Sequence, residues 1–109
     1  MRYCRLWSDE RGESHAELLD PPFRELLQAG VAQFLRSRAG SPTATWHPAP
    51  NRRLVVVLQG ALGGAVSDGT EYTLSAGDCA LLEDTTGKGH TTSVMGDEDA
   101  ILLVVTLPE

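Results

Sequence analysis

The chain has 109 residues, 41% hydrophobic and 22% charged, with a formal net charge of −6. That length supports one buried core and would leave two domains marginal, so a single domain over residues 1–109 is expected, folded rather than disordered. The nine Lys and Arg neither run together nor interleave with aromatics, which excludes the electrostatic footprint of a nucleic-acid reader. Short apolar runs, and an N-terminus without the order of a signal peptide, predict no membrane attachment and a cytoplasmic location.

MRYCRLW reads as an edge strand, and SDERGES as a turn before HAELLD. Pro21-Pro22 followed by FRELLQAG predicts at most one short helix, with Pro at its first turn and Gly30 beyond its last. VAQFLRSR fits a helical continuation or a strand; its place before the GSPT breaker favours the strand. From Leu54 onward the pattern is β. LVVVLQG is rich in β-branched residues, and Asp68-Gly69 sits as a hairpin turn inside ALGGAVSDGTEYTLSAGD. CALLE, TTSVM and AILLVVTL follow at short intervals, the rhythm of an antiparallel sandwich or barrel. No helix is required after residue 46. Cys4 and Cys79 lack C-x-x-C spacing and a disulfide-dense setting, so both are expected as reduced thiols on strands.

EDTTGKGH, Glu83 to His90, concentrates carboxylates, hydroxyls, glycines, a lysine and a histidine. A nucleotide loop would need a further glycine where Leu82 stands and a Ser or Thr where Gly89 stands, so a small anion nest, a metal site and an ordinary turn remain as readings. Glu83 and Asp84 are expected to form the turn by bonding backbone amides of TTGKG, with a direct acid-base role as the alternative. Asp97, Glu98 and Asp99 read as a solvated turn.

The sequence resembles the small single-domain cupins, a jelly-roll family. Their first motif runs Gly, five residues, His, one residue, His, three or four residues, Glu, six residues, Gly. With its last glycine on Gly60, Arg53 takes the glutamate place, Ala49 the second histidine place and His47 the first. Their second motif, anchored on Gly77, puts Glu83 at its proline, His90 at its histidine after a two-residue insertion, and Val94 at its asparagine. The resemblance covers residues 44–107 and leaves 1–43 as an N-terminal strand extension. It implies an all-β fold, a small antiparallel jelly-roll barrel. The family's ion is bound through three histidines and one glutamate, and only His47 and His90 remain here. A guanidinium cannot ligate and repels a cation, so no cofactor is expected; a divalent metal, if held, would use His47 and His90.

Strand alternation adds a residue set of its own. If Arg53 faces the interior, Val55, Val57 and Gln59 share its face, and His90 and Thr92 share another. The result is an apolar cavity with a few polar groups, the usual make-up of a small-molecule site. Two function classes follow. One is a metal-independent isomerase or lyase, an epimerase, cyclase, decarboxylase or eliminase included, acting by acid-base chemistry on a small carbonyl or carboxylate substrate. His47 or His90 would be its base, and Arg53 with Gln59 would stabilise developing negative charge. The other is a non-catalytic small-molecule-binding module. A homodimer is expected, because a small open barrel has strand edges to protect. His15 has no motif partner and is not a candidate.

Overall fold

The structure, a computed structural model, describes residues 1–20 and 28–109. The short helix expected after Asp20 falls mainly on residues 21–27, outside the described residues. Every element among the described residues is a strand: β1 Tyr3–Ser8, β2 Ser14–Leu19, β3 Ala32–Ser37, β4 Arg53–Gln59, β5 Ala61–Val66, β6 Glu71–Ser75, β7 Cys79–Glu83, β8 His90–Met95 and β9 Ala100–Thr106. They form a six-stranded sheet, β2-β1-β7-β4-β9-β3, and a three-stranded sheet, β6-β5-β8. The fold is all-β as expected, with the layout of a small jelly-roll, although no strand pair among the described residues closes the two sheets into one barrel. No helix among the described residues is long and apolar enough to cross a membrane.

Two expectations for the N-terminal third are corrected. The first strand is not an edge: β1 lies between β2 and β7. Nor is the sheet wholly antiparallel, because β1 runs parallel to β7, with Tyr3 opposite Cys79 and Trp7 opposite Glu83. A parallel partner cannot be reached through a tight hairpin, so nothing local in the first twenty residues announces it. The rest follows the expected order. Asp68-Gly69 turns β5 into β6, and Val31–Arg38 yields β3.

Alternation along β1, β4, β7 and β9 sends one set of side chains between the sheets. Leu6, Val55, Val57, Ala80, Leu102 and Val104 meet Leu62, Val66, Tyr72 and Leu74 of the smaller sheet in a single buried cluster. Cys4 and Cys79 are free and buried, and burial raises both thiols above their ordinary range.

Candidate functional site

The loop between β7 and β8 delivers the chemistry, and it is held from two sides. Gly87 and Gly89 adopt φ of 74° and 75°, a region that side chains other than glycine's disfavour. A methyl group on Gly87 would run into Gly12, and one on Gly89 into the His47 carbonyl. Lys88 N–H donates to Gly12 O (2.9 Å), and the buried Ser14 hydroxyl donates to Gly89 O. On the other side, His47 and His90 exchange backbone hydrogen bonds (3.0 and 3.2 Å), and Ala49 N–H donates to Asp84 O (2.9 Å). Lys88 also pairs with Glu13 at 2.7 Å. Both its amide and its ammonium are therefore engaged in structure rather than in an anion nest.

The two carboxylates at the head of this loop part company. Glu83 ends β7 on the outer face and is gripped by Arg5 (2.5 Å) and Arg52 (2.7 Å). Burial raises its pKa, but those two guanidiniums outweigh burial and hold it below the ordinary value. Asp84 turns inward instead. It is fully buried, and its Oδ2 accepts a hydrogen bond from Nδ1 of His90 at 2.5 Å, while Oδ1 has no hydrogen-bond partner among the described residues. The sequence favours Asp84 as an amide-bonding turn former, with an acid-base role as the alternative, and does not name His90 as its partner. The available signal was a carboxylate at the exit of an apolar strand with a histidine at the start of the next.

His90, 5% exposed, lines a cavity of about 150 Å³ between the sheets, together with Arg53, Val55, Tyr72 and Thr92 and aliphatic side chains of β7 and β9. Arg53 is anchored through Nε to Asn51 Oδ1 (2.9 Å) and makes no ion pair among the described residues. The Tyr72 hydroxyl donates to Thr91 O (2.6 Å) and lies 3.0 Å from Thr92 Oγ1. Burial pushes its pKa up to about 12, so it stays protonated. The wall is thus mainly apolar, with one imidazole, one guanidinium and two hydroxyls.

Of the residues expected at the site, Arg53, Val55, His90 and Thr92 come together. Val57 is fully buried in the core cluster and not in the cavity wall. Gln59 departs from the expected face. A register irregularity between Val57 and Gln59 resets the alternation, Gln59 is exposed, and its Nε2 donates to Asp99 O (3.2 Å). His47 is also exposed and outside the cavity wall, with Nδ1 bonded to Thr45 O (2.8 Å). Its ring centre nevertheless stands 5.0 Å from that of His90. Among the described residues no three His, Cys, Asp or Glu converge as metal ligands. A guanidinium occupies the cavity where the cupin pattern has a carboxylate, so the donor set does not fit the family's ion.

No protein-family model matches the sequence, and no curated protein matches it. Among solved structures, the fold is similar to the crystal structure of protein NMB1881 from Neisseria meningitidis, with a TM-score of 0.51 and 14% identity, over 79% of this chain and 89% of that one. At that identity the likeness is one of fold alone: a small β-rich domain.

Proposed function

We propose that the protein is a small cupin-like enzyme that carries out metal-independent acid-base chemistry, of isomerase or lyase type, on a compact organic carbonyl or carboxylate substrate. The observation that carries this reading is the buried Asp84–His90 contact, whose imidazole lines a cavity that also holds Arg53. Asp84 accepts the Nδ1 proton, which fixes the ring tautomer and leaves Nε2 as the acceptor. In the proposed reaction Nε2 removes a proton from the carbon next to a carbonyl, and the electron pair moves onto the carbonyl oxygen. The Arg53 guanidinium stabilises that oxygen, and the proton returns from His90 to a different position or face. Asp84 stabilises the imidazolium formed in between. His47, 5.0 Å away at the exposed side, exchanges protons with solvent. Cytoplasmic location and a homodimer belong to the same reading.

The test begins with a ligand screen of small keto, hydroxy and amino acids, followed by nuclear magnetic resonance. Each ligand that shifts the His90 and Thr92 signals is incubated with the protein in deuterated water. Deuterium should enter the ligand, and His90→Gln should slow that exchange by about 10²-fold or more, the usual contribution of a positioned base. Ligands that bind in the cavity and never exchange would favour the alternative, a non-catalytic binding module.

A further inference from the structure

The cavity is small, and it has a larger neighbour. Leu62 and Thr92 line it on one side and on the other line a larger groove of about 410 Å³, which runs along the flank of the sandwich where β3 and β8 are the outer strands. This groove has a distinct chemistry. Arg36 and Arg38 line it with the hydroxyl-bearing Ser37, Ser41 and Ser93, and none of the described lining residues is acidic. Arg5, Arg52 and Lys88 each hold a carboxylate, whereas Arg36 and Arg38 make no ion pair among the described residues. Asp99, which approaches this end of β3, spends Oδ1 on Ala39 N–H (2.8 Å). The groove on the opposite flank, about 380 Å³, sets Arg2 against Glu17 and Glu71 and so carries no such excess.

We infer that the β3–β8 groove is the entrance to the His90 cavity and holds an anionic tail, so that the substrate is a small organic acid with a second anionic group, carboxylate or phosphate, at its far end. The inference rests on the proposed function for its reactive end and on the groove's own composition for its tail. Guanidiniums bind either anion through charge-assisted, often bidentate hydrogen bonds. Hydroxyls satisfy the remaining oxygens. A tail held there places the other end of the molecule past Thr92, facing Arg53 and His90.

The experiment uses inorganic phosphate and malonate as probes, titrated into the protein and followed by backbone amide spectra. Phosphate or malonate should shift the signals of Arg38, Ser41 and Ser93 with a Kd on the order of millimolar, and the Arg36→Gln/Arg38→Gln double variant should weaken that binding about tenfold or more. Both arginines are exposed, so the double variant should keep its spectrum outside the groove. His90→Gln should leave groove binding unchanged. Groove binding without deuterium exchange on any ligand would sink the catalytic reading and leave the groove standing. Anion shifts that are absent, that centre on the opposite flank, or that persist undiminished in the double variant would overturn the groove, whatever the exchange experiment gives.

Discussion

Two histidine-carboxylate arrangements, one beside the β1–β2 turn and one on the β7–β8 loop, are built for different purposes. In the β1–β2 turn region, His15 is held at both ring nitrogens, by Asp9 through Nε2 and Asp68 through Nδ1, each at 2.8 Å, and its ring lies tilted by 32° against Trp7, the ring centres 4.6 Å apart. Only the doubly protonated ring can donate at both nitrogens, so this is a surface clamp for a cation. In the β7–β8 region, His90 gives one nitrogen to Asp84, and Nε2 makes no hydrogen bond among the described residues. The difference teaches that proximity of a carboxylate does not mark a candidate base. What marks it is a nitrogen left uncommitted beside a cavity.

The sharpest break of this comparison is at Gly89, which lets the loop pass the His47 carbonyl. Gly89→Ala adds the strain of a positive φ to a backbone clash and should destabilise the fold by about 4 kcal/mol, read from urea unfolding. An unchanged midpoint would mean that the loop is not clamped. Next comes Asp84→Ala, which leaves His90 Nδ1 buried without its acceptor and should cost about 3 kcal/mol. Asp84→Asn should retain more stability yet disturb the His90 tautomer, visible as a changed imidazole nitrogen spectrum. If Asp84→Asn leaves that spectrum untouched, the contact does not set the tautomer.

Smaller effects are expected from the surface. Glu83→Gln should cost about 1 kcal/mol, since its partners are one-third exposed and screened. Added salt should shrink the difference. The His15 clamp should appear as a pH dependence. Hydrogen bonds donated to Asp9 and then to Asp68 raise the His15 pKa above its ordinary value, so its contribution is complete below about pH 6.5 and is lost as pH rises through the folded-state value. Asp9 is lowered, chiefly by His15, and Asp68 chiefly by Thr70. Their contributions are present above about pH 4 and are lost as pH falls through the folded-state values. His15→Gln should therefore remove the loss of stability above about pH 6.5 and weaken the loss below about pH 4, while leaving anion binding at the cavity and groove unaltered. A profile identical to wild type would show that the clamp contributes nothing to folding.

Much of the fold was legible because β5 to β9 are separated by turn residues with known geometry, Asp68-Gly69 being the clearest. Arg53 and His90 were legible for a similar reason: strand parity puts Arg53 on the face of Val55, and His90 opens a short strand whose other inward residue is Thr92. Parity then failed at Gln59, where one extra residue in β4 exchanges the faces, and an irregularity of that kind has no sequence mark within LVVVLQG. The partner of Asp84 was missed because it is fixed by the fold of a whole loop, including a contact with Gly12 far away in the chain. His15 was dismissed for lack of a motif partner, although Asp9 lay six residues away. His47 was expected at the cavity from spacing alone, and spacing does not say which side of β8 a neighbouring segment occupies.

The strand order of the larger sheet also says something about time. Of its five pairings only β1 with β2 joins neighbours in sequence; β1 waits for β7, and both β4 and β3 wait for β9, which spans residues 100–106. Growing from the ribosome, the chain can form the β1–β2 and β5–β6 hairpins early, but the centre of the sheet stays open until almost every strand has been made. Pairings this distant make for slow closure, in the millisecond-to-second range typical of β-sandwiches. During that interval Leu6, Val57 and Leu102, later sealed in the interior, face solvent together.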